Sequence, residues 1–159
     1  MADSAPEATA AEDAASRAVE PLRLLAEDAE DLAIMSAALQ DAILRPSDIR
    51  WERPARRLTI QLSRFCWECG GSRVHSALQF GDVSAVKSRR LPRMPDAPLE
   101  LLALDFEPGE APGGRVILMF AGGGDLRIEV ECLDGVLADL SDRWPAVAAP
   151  DHPAEDARP

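Results

Sequence analysis

Two apolar, β-prone runs, residues 115–121 and 125–132, flank Gly122-Gly123-Gly124, and this pattern constrains the fold more than any other stretch of the chain. A glycine pair or triplet between such runs supplies the positive φ angles that a tight hairpin turn needs. The segment therefore predicts two antiparallel strands joined by a short turn. After it, Leu133, Val136, Leu137 and Leu140 fall on one side of a helical projection, with Trp144 a turn further on and Pro145 as a stop. That spacing predicts a C-terminal helix over 133–144.

Upstream, residues 22–26 are a short apolar run. Asp28 then stands where it can cap a helix whose apolar residues Leu32, Met35, Leu39, Ala42 and Ile43 recur at three- and four-residue spacing. Asp28, Glu30 and Asp31 suit the positive end of its dipole. Arg45-Pro46 closes the expected helix near Leu44, because a residue before proline avoids the α region. Beyond it the period changes to two: Ile49 and Trp51, then Leu58, Ile60 and Leu62, with Phe65 and Trp67 on the opposite parity and a bulge expected near Arg64. Val74, Ser76, Leu78 and Phe80 alternate again, and further strands are expected over 83–90 and 99–106, separated by Pro92, Pro95 and Pro98. Seven strands with short connections between 48 and 132 imply antiparallel pairing, since parallel crossovers need a dozen or more residues. The fold expected is α+β: an N-terminal βα unit, an antiparallel sheet of about seven strands and a C-terminal helix. The ordered domain is expected over 21–145, between a disordered acidic, alanine-rich tail (1–20) and a disordered proline-rich tail (146–159).

With 159 residues and 47% hydrophobic content, the chain suits one domain with a substantial core. A net charge of −11 disfavours free nucleic acid and anionic membrane as partners. No run is long and apolar enough for a membrane span, and the N-terminus lacks the basic start and apolar core of a secretory signal. A cytoplasmic protein is expected. Three cysteines, Cys66, Cys69 and Cys132, do not describe a disulfide framework, so reduced thiols are expected.

The sharpest chemical motif is Cys66-Trp67-Glu68-Cys69. A CxxC pair can hold half of a zinc site or run thiol–disulfide exchange, because both sulfurs reach one metal or each other. Cys66 and Cys69 are thus the candidate metal ligands. Zinc needs two more, and only Cys132, His75 and His152 are present, at no familiar spacing. His75 sits in an alternating strand and His152 in the proline-rich tail. Gly113-Gly114 and Gly122 to Gly124 lack the lysine and following helix of a phosphate loop. Glu129 and Glu131 share a strand face without a partner that would make them acid–base catalysts. No catalytic residue and no cofactor is assigned; a non-enzymatic interaction module is the first reading, and a metal-binding or thiol-dependent enzyme using Cys66 and Cys69 is the alternative.

Charge is distributed unevenly. Residues 45–93 hold eleven basic side chains, ten of them Arg, against four acids, a local net of +7 that leaves −18 for the rest. Arg forks favour planar, bidentate recognition of oxyanions. Arg53, Arg56, Arg57 and Arg64 are the candidate partner-binding residues, on a sheet surface that could meet an acidic protein, a phosphate-bearing ligand or RNA, the acidic protein being the reading adopted; the helix from 28 to 44 is a second candidate surface. The competing reading pairs these arginines with the protein's own acids.

Leu22-Arg23-Leu24-Leu25-Ala26, Ala29-Glu30-Asp31-Leu32, Leu39-Gln40-Asp41-Ala42, Arg64-Phe65 with Trp67-Glu68, and the stretch from Phe120-Ala121-Gly122-Gly123-Gly124 through Val130-Glu131-Cys132-Leu133 to Asp139-Leu140 and Trp144 carry a family resemblance. Over residues 22–145 the chain resembles small uncharacterised proteins of alphaproteobacteria, domain of unknown function 2948. The resemblance implies a bacterial cytosolic origin and brings no catalytic residue with it. The Cys66–Cys69 spacing lies outside the family pattern. By element count alone, seven strands followed by one helix is similar to the order of pleckstrin-homology-like rolls.

Overall fold

The structure, a computed structural model, describes residues 21–140 and the backbone of 144–145; the two expected tails and His152 lie outside the described residues. Among the described residues, one α-helix accompanies a single mixed-order sheet of eleven strands in which every pair is antiparallel. In chain order the elements are β1 (Arg23–Ala26), α1 (Ala29–Ala38), β2 (Ile43–Leu44), β3 (Ile49–Glu52), β4 (Arg57–Cys66), β5 (Ser72–Phe80), β6 (Val83–Arg89), β7 (Leu99–Pro108), β8 (Gly114–Phe120), β9 (Asp125–Val130), β10 (Gly135–Asp139) and β11 (Trp144–Pro145). The sheet path runs β1-β10-β5-β4-β2-β7-β8-β9-β6, with β3 also on β4 and β11 also on β5. Seven of these strands, β3 to β9, occupy the region where seven were expected. The sheet is larger because β1, β2, β10 and β11 join it.

The expected hairpin is β8–β9, with Met119 opposite Asp125 and positive φ at Gly122 (94°) and Gly123 (96°). Two chain segments, each of two consecutive strands, turn a corner together. β5 passes into β6, and β9 into β10, while β5 pairs with β10 and β6 with β9. The bonds Gly81 N–H to Asp134 O (3.0 Å) and Glu131 N–H to Asp82 O (2.9 Å) tie the two strands at the bend. Gly135 is required there: a Cβ would lie 2.8 Å from Cε1 of the buried Phe80 ring.

Asp28 caps α1 as expected, its side chain accepting from the Asp31 amide at 2.8 Å. Leu32, Met35 and Leu39 bury one stripe against the sheet, where α1 packs on β7 and β1. The core joins that stripe to Leu58, Ile60, Leu78 and Phe80 from one part of the sheet and Val116, Leu118, Phe120 and Ile128 from the other.

Three expectations are corrected. The helix ends at Ala38, short of Leu44, because Asp41 turns at φ 69° and β7 captures the chain through Asp41 N–H to Leu101 O (2.9 Å) and Leu101 N–H to Ala42 O (2.8 Å). The bulge near Arg64 is absent: β4 and β5 pair in unbroken register from Leu58–Phe80 to Cys66–Ser72, and the irregularities lie instead between Val83 and Ala85 and between Leu101 and Ala103. The expected C-terminal helix is strand β10 followed by β11. Leu133 and Leu137, both buried, are four apart and satisfy a period of two as well as 3.6, and the edge of β5 supplies the partner. With no C-terminal helix among the described residues, the count that carried the pleckstrin-homology analogy does not hold.

Candidate functional site

Alternation along β4 points Leu58, Ile60, Leu62, Arg64 and Cys66 inward together. Arg64 is therefore a core residue, 1% exposed, and the largest fully buried side chain. A charge there needs a partner of opposite sign with good geometry. Asp139 of β10 supplies it: Arg64 Nε donates to Oδ1 at 2.9 Å and Nη2 to Oδ2 at 3.0 Å, a bidentate fork. Asp139 also accepts from Ser76 Oγ (2.7 Å) and from the Leu22 amide (2.8 Å), so one carboxylate joins β10, β5, β4 and the segment entering β1. Burial pushes its carboxyl up, but the Arg64, Leu22 and Ser76 hydrogen bonds outweigh that and hold it below the usual Asp range. Burial likewise works against the Arg64 cation, and its bonds to Asp139 and Glu68 prevail, keeping it above the ordinary Arg value.

Next to this pair the chain leaves β4 by a short 3₁₀ turn, Trp67–Cys69, closed by Gly70 at φ 80°. Cys66 and Cys69 are joined as a disulfide across that turn, where reduced thiols were expected. Cys66 is fully buried and Cys69 is half-buried. The second Nη2 hydrogen of Arg64 is directed to this turn, where Nη2 lies 3.2 Å from Glu68 Oε2 and 3.9 Å from Cys66 Sγ. Trp67 is 58% exposed and packs edge-on to Phe65, with centroids 4.2 Å apart. Among the described residues, the group whose donor atoms lie close enough to hold a metal is Cys66, Glu68 and Cys69, all within 4.8 Å. Two of those donors are spent in the disulfide, and the third faces a guanidinium, so the arrangement does not fit a cation as it stands. The other ligands weighed from sequence are elsewhere: His75 Nε2 contacts Gln61 Oε1 at 3.0 Å, and Cys132 donates to Asp82 Oδ2 at 3.1 Å. That hydrogen bond, with burial and nearby acids, pushes the Cys132 thiol up, away from a reactive thiolate.

The arginines divide. Arg53, Arg56 and Arg57 gather at the β3–β4 turn, all exposed, with Arg50 on the adjoining strand. Arg56 meets Glu131 at 2.6 Å and Arg57 meets Glu52 at 2.9 Å. Arg53 has no ion-pair partner among the described residues. Arg50, Arg57, Thr59, Gln61 and Gln79 line an open cleft of about 380 Å³ beside the turn. Six of the eleven basic residues in 45–93 pair with the chain's own acids, which supports the competing reading made from sequence for that half. Arg64 lies inside and is not part of any surface. Asp139 was missed because its segment had the wrong period; read with period two, Leu137 and Asp139 share a face.

The family model described as Protein of unknown function (DUF2948) matches residues 22–152, most of the chain. The chain belongs to this family. No curated protein and no solved structure matches it. Within the family's match lie all of β1 to β11, the Arg64–Asp139 pair and the arginine turn, and no helix among the described residues is long and apolar enough to cross a membrane.

Proposed function

We propose that this chain is a non-enzymatic binding module of the bacterial cytoplasm that meets an acidic protein partner through the β3–β4 turn. The observation that carries the reading is the gathering of Arg53, Arg56 and Arg57 at one exposed turn beside Arg50 of β3, Arg53 having no ion-pair partner among the described residues. Paired surface arginines keep donors to spare: each guanidinium has five N–H groups, and one exposed carboxylate occupies one or two. A partner carboxylate can exchange with Glu52 or Glu131 at little cost, since exposed ion pairs contribute about 0–1 kcal/mol. The cytoplasmic bacterial setting rests on the resemblance to alphaproteobacterial chains.

The test is quantitative co-purification from cells that carry the protein natively, comparing the wild type with Arg53→Glu/Arg56→Glu/Arg57→Glu. Loss of a stoichiometric, salt-sensitive partner on charge reversal supports the reading. Unchanged association of every partner overturns it.

A further inference from the structure

We propose that Cys66 and Cys69 are a reversible thiol–disulfide couple that exchanges with an external cysteine thiol, Cys69 being the sulfur that meets the substrate and Cys66 the buried sulfur that resolves the mixed disulfide. This couple is independent of the arginine turn, and its two cysteines lie outside the pattern that carries the family resemblance.

Three observations converge. The sulfurs are bonded across two residues and differ in access: Cys66 is fully buried and Cys69 half-buried. An attacking thiolate therefore meets Cys69. The sulfur it would expel is Cys66, and 3.9 Å from that sulfur stands Arg64 Nη2. Thiolate leaving groups depart faster when their charge is stabilised. Arg64 is held by Asp139 at fixed geometry in the core, so its cation is in place before reaction and cannot swing away into water. Finally, Trp67 lies between the two cysteines and is 58% exposed, an apolar platform against which a peptide flanking a substrate cysteine can rest.

The chemistry balances. In the reducing direction a thiolate RS⁻ attacks Cys69 Sγ; the S–S bond to Cys66 breaks, RS–Sγ(Cys69) forms, and Cys66 leaves as thiolate beside Arg64. A second thiolate R′S⁻ attacks the R sulfur, giving RSSR′ and the Cys69 thiolate. Two external thiols are oxidised, one protein disulfide is reduced, and the two protons of the external thiols end on the cysteines or in water. Oxidation runs the same steps backward with an external disulfide as oxidant. In a reducing cytoplasm such a bond is transient and functional rather than a permanent staple.

The probes are glutathione and a cysteine peptide with an aromatic neighbour, applied to the full folded chain with alkylation trapping and mass spectrometry. The couple is expected to titrate between disulfide and dithiol as the glutathione ratio is varied, with the fold retained. Cys66→Ser should accumulate a mixed disulfide at Cys69, while Cys69→Ser reacts roughly tenfold more slowly because its remaining sulfur is buried. Arg64→Lys, which keeps the charge, should exchange faster than Arg64→Gln. If Arg64→Gln does not fold, the cysteine variants decide alone. A preference for the peptide that disappears in Trp67→Ala assigns a protein thiol as substrate; equal rates for both probes assign a small thiol. A disulfide that survives excess reduced glutathione in the folded protein, or equal reactivity of Cys66→Ser and Cys69→Ser, overturns the proposal.

Discussion

Two ends of the same strand put arginine to opposite uses. At its start, Arg56 and Arg57 stand in water with Arg53, each replaceable in its contact; near its end, seven residues on, Arg64 is sealed in the core with Asp139. Local sequence does not separate them. What does is parity: position 64 shares a face with Leu58, Ile60 and Leu62, and the ladder to β5 never slips. The charge is thus carried inside by the strand's period, and the fold answers with a carboxylate from a strand 75 residues away in sequence. A polar side chain on an apolar face is a sign of a partner somewhere else in the chain.

Removing that partner is expected to have the largest effect. Asp139→Ala should destabilise by about 3–5 kcal/mol in chemical denaturation, because an unpaired guanidinium is left buried. Arg64→Met/Asp139→Leu should lose far less than the single variant, since replacing both members of a buried pair is often close to neutral. If Asp139→Ala unfolds no more easily than the wild type, the contrast between the two ends collapses.

Gly135→Ala separates strand from helix in the same β10 segment. In a helix the change stabilises by about 1 kcal/mol; against the Phe80 ring, with a Cβ placed 2.8 Å from Cε1, it should destabilise by about 1–3 kcal/mol. The sign alone decides.

A smaller effect should appear on acidification. The Asp139 carboxyl is held below its ordinary value, so its contribution is fully present above the unfolded-state value and is lost as pH falls through the lower, folded one. Wild-type stability should fall in that acid window, and Arg64→Met/Asp139→Leu should lack this part of the slope. Glu100 has the opposite sign: its hydrogen bond with Asp41, then burial, push it up, so its contribution is present at low pH and lost as pH rises through its folded value. Glu100→Gln should remove that loss.

The smallest change in stability belongs to the turn. Arg53→Ala, Arg56→Ala and Arg57→Ala should each move unfolding by less than about 0.5 kcal/mol. Their effect is expected on partner association alone, which thermal denaturation and co-purification measured side by side would separate.

Much of this molecule is written in short-range pattern. The Asp28 cap, the glycine turn of β8–β9, and the alternation of Leu58, Ile60 and Leu62 are local facts with local outcomes. Local pattern and fold part where a segment satisfies two periods and a distant strand chooses between them. Ala42 and Ile43 continue the helical spacing of Leu39, yet β7 offers backbone bonds at Asp41 and Leu101 that pull the chain into β2. Leu133 and Leu137 fit a helix, yet β5 presents an open edge. Phe65 and Trp67, read as inward residues of the opposite parity, imply a bulge near Arg64 that the register does not contain. The CxxC pair and the arginine cluster were visible as composition; which sulfur is covered, and which arginine is inside, depend on tertiary position.

One feature of the topology bears on how the protein is made. Among the described residues β1 has one sheet partner, β10, with Arg23 opposite Ala138, so two strands more than 100 residues apart in the chain are zipped together. At a translation rate of about 5–20 residues per second, the ribosome holds β1 without its neighbour for several seconds. The glycine hairpin and the β4–β5 ladder can pair as they emerge, but closure at β1 waits for release of the far end of the domain. A nascent chain stalled before β10 carries an unsatisfied edge on β5 as well as on β1, and it is this late, sequence-distant stitch that a chaperone would have to shelter.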